Sequence, residues 1–295
     1  LGFSKFGIYI QNFSKNLIIV CFFDTFIKYL LNMNAKEYIK YLLSLESYSF
    51  SVDEVANETN KSYNSLKFEL LRLSKKGEII NLRKGFYLII PPRYSSAKRL
   101  PIQLYCEKLF LYLGRNYYVG LFSAAKMHGA GHQQVQRDYL ITEKPKLNDI
   151  SKSTIDIRFL TKSNWPEKNI QIKKSDAGIF KISSPALTLV DLIHYQTKLG
   201  GVNRILATIE ELSEELTEED LADLLSWYPS KSALQRLGFL LEELNIEKEF
   251  REMIYSELTI KNLFPVLLSP KSNKKAGRVT NRWKVDLNIK LENDL

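Results

Sequence analysis

Residues 34–90 constrain the fold most strongly, because three amphipathic helical patterns are followed directly by two β-rich runs around a basic turn. The first pattern repeats apolar residues such as Tyr38 and Leu42 on one helical face. The second begins at Ser51, whose spacing from Glu54 is that of a capping box at a helix start. Two successive helices are therefore expected ahead of the third pattern.

The third pattern and the β-rich runs complete the arrangement. After Ser62, a suitable N-cap, leucines beginning with Leu66 recur along one face until Gly77 ends the helix. Residues 78–90 then read as two strands about a glycine-containing turn, which is typical of a hairpin. Three helices followed by a hairpin predict a winged helix-turn-helix, to which we assign an N-terminal domain of residues 33–92.

The polar side of the third helix and the tip of the hairpin are the surfaces that could contact double-stranded DNA. Such a helix enters the major groove, where asparagine can pair with adenine edges, so Asn64 is the preferred base-reading residue. Lysine and arginine at the other positions are expected mainly to position the protein on phosphates. The hairpin tip, or wing, could reach the minor groove or nearby phosphates. The assigned DNA-binding residues are Lys61, Ser62, Asn64, Ser65, Lys67, Arg72, Lys75, Arg83 and Lys84.

The net charge of +9 favours a polyanionic partner, and the surplus is local. Residues 61–108 contain eleven Lys and Arg against three Glu, whereas residues 210–224 contain eight acidic residues and no basic one. The acidic run is either a surface for a basic partner or a set of solvated helix faces. A basic run near the carboxyl end either adds phosphate contacts, through Lys274, Lys275 and Arg278, or is a solubilising loop. It also includes Lys271, Arg282 and Lys284.

Residues 1–32 differ from the rest of the chain, since they begin without Met and include an apolar run at 17–23. The run is short for a spanning helix and no small-residue cleavage site follows it, which argues against export. Translation from Met33 would make the segment a non-functional leader. The chain has only two cysteines, too few for a disulfide framework or a thiolate metal site, so we expect a protein of the reducing cytoplasm. We also expect no cofactor and no membrane association.

Residues 93–295 are expected to form a larger mixed α/β domain, which makes the whole chain an α+β protein. A linking helix over residues 101–113 follows a break at two prolines. Strands are predicted at 139–142, 155–160, 170–173, 179–182 and 283–289. Helices are predicted at 185–197, 201–212, 217–227 and 231–258.

Three segments resemble the AbiEi family of antitoxins, and they occur in the family's order within residues 34–290. They are residues 69–87, residues 117–129, which are similar to the helix that opens the family's carboxy-terminal domain, and residues 183–193. The resemblance implies an antitoxin of a type IV toxin-antitoxin system, a form of abortive infection and phage defence, that represses its own operon at promoter repeats. It also implies a nucleotidyltransferase-like toxin encoded nearby, with antitoxicity in the carboxy-terminal domain and no need for a stable complex.

Two other functions remain open from the residues alone. A winged helix could deliver a nuclease to DNA, and Asp138, Glu143 and Lys146 surround a predicted strand, but without the spacing of a metal-dependent nuclease motif. His128 and His132 could chelate metal on a helix, yet glycines between them interrupt any helix. The chain could also be a protein-docking module, because not every winged helix binds nucleic acid. The local positive charge favours a non-enzymatic DNA-binding regulator over both.

Overall fold

The computed structural model describes residues 33–131, 137–152, 154–260, 262–270 and 274–292. The predicted leader at residues 1–32, His132 and Lys271 lie outside these ranges. The chain divides into two compact units, with the division between Leu113 and Gly114. Helices and strands occur in both units, so the expected α+β class is confirmed.

Unit 1 combines a group of helices with a small sheet. Its elements are α1 (Ala35–Ser44), β1 (Ser49–Ser51), α2 (Val52–Thr59), α3 (Tyr63–Lys75), β2 (Ile79–Arg83), β3 (Phe86–Ile89) and α4 (Cys106–Leu113). The strands form an antiparallel sheet in the order β1-β3-β2. Strands β2 and β3 are the hairpin expected from the sequence, whereas β1 is a third strand that the sequence analysis missed.

The first three helices each begin at a capping residue. Asn34 and Ser51 both form capping boxes with the glutamate three residues further on. Ser62 accepts a hydrogen bond from a backbone N–H of α3, as its position in the sequence predicted. The predicted apolar face of α3 is buried in a core shared with α1, α2 and the sheet. Its residues are Leu66, Leu70 and Leu73.

Helix α4 packs on the sheet of unit 1. The ammonium group of Lys108 donates to the Ser47 hydroxyl at 2.6 Å, and the Tyr112 hydroxyl donates to the Lys84 carbonyl at 3.0 Å. These contacts attach the segment after the hairpin to the first unit. The division of the chain therefore falls after Leu113, later than the boundary at residue 92 that the sequence analysis assigned.

Unit 2 is built on a mixed six-stranded sheet. Its strands are β4 (Tyr117–Val119), β5 (Asp138–Glu143), β6 (Ile150–Lys152), β7 (Ile155–Lys162), β8 (Ile170–Ser175) and β9 (Gly178–Ser183), in the spatial order β6-β7-β5-β4-β9-β8. Strand β5 runs parallel to β7 and antiparallel to β4. Strands β8 and β9 form an antiparallel hairpin at one edge of the sheet.

Helices pack against this sheet and share a hydrophobic core with it. They are α5 (Leu121–Met127), α6 (Pro185–His194), α7 (Gln196–Leu199), α8 (Val202–Ser213), α9 (Glu218–Trp227), α10 (Lys231–Glu243) and α11 (Lys248–Thr259). A short parallel pair, β10 (Val266–Leu267) and β11 (Val285–Asp286), follows them. Helix α6 is buried from Pro185 to Ile193, so it is the central helix of the unit. In the described part of the chain, no helix has the length and apolar character needed to cross a membrane.

Several boundaries of unit 2 differ from the sequence predictions. Residues 117–129, expected to be one helix, begin with β4 and only then turn into α5. The predicted helix at 231–258 is divided into α10 and α11, because Asn245 adopts a left-handed conformation with φ of 54°. The predicted strand at 283–289 is reduced to β11, and β6 was not predicted.

A buried ion pair joins the sheet to α6. Lys162, the last residue of β7, donates to Asp191 of α6 at 2.6 Å, and the Asp191 side chain is fully buried. The hydroxyl of Tyr118 on β4 donates to the second Asp191 oxygen at 2.7 Å. Burial, and then the Asp191 carboxylate, raise the pKa of Tyr118 well above its ordinary value, so its hydroxyl keeps the proton that it donates.

Removing the cation of this pair should strongly destabilise unit 2. Lys162→Met leaves the Asp191 carboxylate buried without its counter-charge, which typically costs about 3–5 kcal/mol. Urea unfolding would measure the loss, and Lys162→Met/Asp191→Asn should recover part of it. The matched control is Lys168→Met, which breaks an ion pair whose side chains are 53% and 45% exposed and should cost under about 1 kcal/mol. Equal costs for the two single variants would refute the role assigned to the buried pair.

Candidate nucleic-acid interface

One side of α3 is exposed along its whole length. Its buried leucines occupy the opposite side, and most of the remaining positions face solvent. Asn64, the expected base-reading residue, is exposed near the amino end of the helix. The other assigned residues that are exposed on α3 are Ser65, Lys67, Arg72 and Lys75.

Lys61 differs from the other assigned cations, because it already has a partner. Its ammonium group lies 2.6 Å from the Glu69 carboxylate, which also accepts the backbone N–H of Ala35 at 3.0 Å. Burial alone would raise the pKa of Glu69, but the hydrogen bonds from Lys61 and Ala35 outweigh it and hold that pKa below its usual range. The charge of Lys61 is therefore largely neutralised within unit 1, which weakens its assignment as a phosphate contact.

The hydroxyl of Ser62 is also engaged within the protein. It accepts the backbone N–H of Ser65 at 3.4 Å and so caps α3. A hydroxyl oxygen that accepts this bond can still donate its own proton. Ser62 is exposed and lies at the amino end of the helix, where backbone N–H groups attract anions.

The hairpin of β2 and β3 presents a short, well-anchored turn. Lys84 is exposed at its tip, while Arg83 beside it is half-buried. Gly85 has φ of +78°, and its carbonyl accepts the N–H of Val52 at 2.8 Å. The Tyr112 hydroxyl holds the Lys84 carbonyl from the other side. Hydrogen bonds to the backbone of Lys84 and Gly85 therefore hold the tip in place, and the exposed Lys84 side chain extends from it.

The exposed face of α3 also has an apolar component, which was not predicted from the sequence. Tyr63, Phe68 and Leu71 are 54%, 65% and 50% exposed. Phe68 and Leu71 follow Asn64 by four and seven residues, so they lie on the same helical face as Asn64. The helical spacing of these residues, which puts them opposite the buried leucines, could have predicted their exposure from the sequence. The face is therefore a mixture of cations, one amide and apolar side chains.

The second basic run lies in unit 2. Lys274, Lys275 and Arg278 are all exposed, in a stretch without regular secondary structure. Arg282 of the same run is less suited to a phosphate contact, because it forms ion pairs with Glu242 and Glu252 at 3.0 and 2.7 Å.

The residues considered for nuclease chemistry do not converge. Asp138 and Glu143 are the first and last residues of β5, about 16 Å apart at the usual rise of a strand. Lys146 follows β5 in the next loop. Among the residues that the structure describes, no group of three or more His, Cys, Asp or Glu side chains could hold a metal ion. The carboxylates singled out in the sequence therefore cannot act together on one metal.

Comparison with known proteins gives a family match within the second unit. Residues 118–243 match the family of the AbiEi antitoxin C-terminal domain. No curated protein sequence matches the chain significantly. The crystal structure of the RV2827C protein from Mycobacterium tuberculosis is similar in fold, with 14% identity and a TM-score of 0.58 over 85% of this chain and 90% of that one. A more distant likeness, with 12% identity and a TM-score of 0.31 over 53% of this chain and 89% of the other, is to an antigenic nucleotidyltransferase-like protein from Paracoccidioides brasiliensis.

A side chain at position 85 should damage the hairpin tip. An alanine Cβ there would lie 2.6 Å from the Tyr112 hydroxyl oxygen, in a backbone conformation that L-residues rarely adopt. Gly85→Ala is expected to cost about 1–3 kcal/mol of stability, measured by chemical unfolding. Gly77→Ala is the control, since Gly77 also has positive φ but a Cβ added there would have no neighbour within 4 Å. A Gly85 variant no less stable than the Gly77 variant would contradict the anchoring role of Tyr112.

Proposed function

We propose that this chain, which carries an AbiEi antitoxin C-terminal domain at residues 118–243, is the antitoxin of a type IV toxin-antitoxin system and represses its own operon. Unit 1 acts as a winged helix-turn-helix that binds repeats in the promoter. Unit 2 counteracts a nucleotidyltransferase-like toxin without a stable complex. The protein acts in the cytoplasm, catalyses no reaction and needs no cofactor.

The observation that supports the DNA-binding part is the solvent-exposed face of α3, which bears Asn64 and three cations. The elements of unit 1 occur in the order helix, strand, helix, helix and hairpin, which is the order of winged-helix domains. Helix α3 has 13 residues, so it is about 20 Å long, enough to follow a major groove. Lys67, Arg72 and Lys75 would meet phosphates, while Arg83 and Lys84 would bind beside the groove.

Base reading would combine a polar and an apolar contact. Asn64 can make paired hydrogen bonds with adenine in the major groove. Phe68 lies one helical turn further on and is 65% exposed, so it could contact the methyl group of thymine, the apolar feature of that groove. The two residues together favour a site that contains A·T pairs.

The apolar side chains on α3 also favour a second candidate function. Tyr63, Phe68 and Leu71 could instead bind another protein, since exposed apolar residues grouped on one face often mark interaction sites. A docking surface of this type would not respond to DNA, and its binding would weaken little with added salt. Promoter binding measured over a range of salt concentrations therefore separates the two functions.

The central test is binding to the promoter of the protein's own operon. DNase footprinting should reveal protected repeats, and a promoter-reporter fusion should be repressed by the intact chain. If the chain gives no footprint and no repression at protein concentrations that saturate ordinary regulators, the regulator function is excluded. The antitoxin part is tested separately by expressing the neighbouring toxin in cells. Unit 2 alone and the Lys84→Ala chain should both rescue such cells.

Loss of the wing cation should weaken binding to every DNA sequence. If Lys84 neutralises one phosphate, Lys84→Ala should lower the slope of log affinity against log salt by about 0.9. Fluorescence anisotropy at several salt concentrations measures the slope. Lys36→Ala removes an exposed lysine from α1 and should leave the slope unchanged. A drop of the same size in both variants would indicate a general charge effect.

Changes at the base-reading positions should alter preference rather than overall affinity. Asn64→Ala is expected to cost about 1–3 kcal/mol at an adenine position and almost nothing on unrelated DNA. Phe68→Ala should remove the discrimination between thymine and uracil at one position of the selected site. Selection from a random duplex library, followed by anisotropy with uracil-substituted duplexes, measures both effects. Uniform weakening on all duplexes would assign the two residues to phosphate positioning or to folding.

A further inference from the structure

Unit 2 contains a basic cavity that is separate from the face of α3. Its volume is about 390 Å³, and it lies against β5 and β7, the loop that follows β5, and α7. Four cationic side chains line it, together with one carboxylate, that of Asp149. The cations are Arg137, Lys146, Arg158 and Lys198.

The two arginines are held in place by aspartates. Arg137 binds Asp156 through Nε and Nη2, both at 2.7 Å, and Arg158 binds Asp149 at 3.0 Å. The other Asp149 oxygen accepts the backbone N–H of Phe159 at 3.0 Å, so this carboxylate is itself fixed by β7. A guanidinium group offers five N–H donors, and each of these contacts uses only one or two. The remaining donors are thus pre-oriented at low entropic cost.

The two lysines supply charge that no aspartate cancels. Within the described residues, Lys146 makes no ion pair, and the Lys198 ammonium lies over the Tyr195 ring at 5.3 Å from its centroid. The cavity therefore keeps a positive surplus after the arginines have been paired. A cleft lined by charges of one sign focuses their electric field more strongly than a flat surface with the same charges.

We infer that this cavity binds a small phosphate-bearing anion of about nucleotide size. Two fixed arginines and two lysines match the several oxygens of a phosphate or pyrophosphate group, for which arginine supplies a planar fork and lysine a point charge. A volume of 390 Å³ lies within the usual range of small-molecule sites. Tyr139 also lines the cavity, but it is buried and its ring packs against Phe122, so the cations carry the recognition.

The inference concerns unit 2 alone and does not depend on DNA binding by unit 1. The cavity is a compact depression, whereas a nucleic-acid backbone requires an extended groove. The shared ligand chemistry is the phosphate group, which can come from free pyrophosphate or from a nucleoside triphosphate. A nucleic-acid strand would be a different class of ligand.

Calorimetric titration of the full chain with pyrophosphate, and separately with ATP, tests the inference. Both probes are expected to bind at low salt with one ligand per chain. Lys146→Ala and Lys198→Ala should each weaken binding about tenfold, the effect of losing one charge-assisted hydrogen bond. Tighter binding of ATP than of pyrophosphate would mean that the base is also recognised, while equal affinities would assign recognition to the phosphates; either result supports the phosphate site.

The control variant is Lys174→Ala, which removes an exposed lysine of β8 that does not line the cavity. It should bind both probes as the unaltered chain does, and all variants should retain the same thermal unfolding midpoint. Promoter binding should survive in Lys146→Ala/Lys198→Ala, which separates this site from the regulator function. The inference is overturned if neither probe binds at about 10 mM, far above the affinity range of specific sites. It is also overturned if Lys174→Ala loses as much affinity as the cavity variants, or if only a single-stranded oligonucleotide binds in a lysine-dependent way.

Discussion

The ion pair of Lys162 and Asp191 is the contact on which the architecture of unit 2 depends. Helix α6 is buried on every side except at its end, so a carboxylate within it needs a counter-charge supplied by another element. Lys162 supplies that charge from the end of β7, and Tyr118 supplies a hydrogen bond from β4. Three elements that are distant in sequence are thereby fixed to one another at a single carboxylate. The low polarity around the pair strengthens each of these contacts electrostatically.

The same strand connects this buried pair with the basic cavity. Lys162 ends β7 inside the core, and Arg158, four residues earlier, lines the cavity. The register of β7 against β5 pairs Arg158 with Tyr139, so both cavity residues take their positions from the sheet. Since the ion pair fixes where β7 ends relative to α6, it also limits how far the cavity wall can shift. Cavity geometry is therefore a consequence of the core, even though its cations are partly exposed.

In unit 1, one carboxylate connects folding with the proposed interface. Glu69 is the acidic residue of α3, and it satisfies both the Ala35 N–H at the start of α1 and the Lys61 ammonium. It thus stabilises the contact between two helices while lowering the positive charge of the face that carries Asn64. The remaining charge comes from Lys67, Arg72 and Lys75, which lie further along the helix. A more strongly basic face would require the loss of a contact that holds the helices together.

Local signals in the sequence predicted the first three helices and the hairpin of unit 1 but not its first strand, and they were less informative for unit 2. Ser51, Ser62 and the α3 leucines act through nearest neighbours and helical spacing, so caps and buried faces could be inferred directly. Strand β1 could not be inferred in this way, because a strand of three residues is too short to show an alternating pattern. Its partner, β3, also follows much later in the chain. The contact of Lys162 and Tyr118 with Asp191 was equally hidden from sequence reasoning, since it is created by the order of strands in the sheet. The same limitation applies to the cavity, whose cations come from separate segments of the chain.

The two proposed anion-binding surfaces, on α3 and in the cavity, differ in shape, and shape limits which anion each would bind. On α3 the proposed DNA-contacting cations lie along a convex helix, where each would meet a different phosphate of a duplex. In the cavity, arginines held by aspartates and two lysines converge on one concave space of about 390 Å³, where several donors can reach the same phosphate group. Net charge alone does not distinguish these cases, because a surplus of cations attracts any polyanion at long range. Selectivity arises at contact, from whether the cations diverge along a surface or converge on a point.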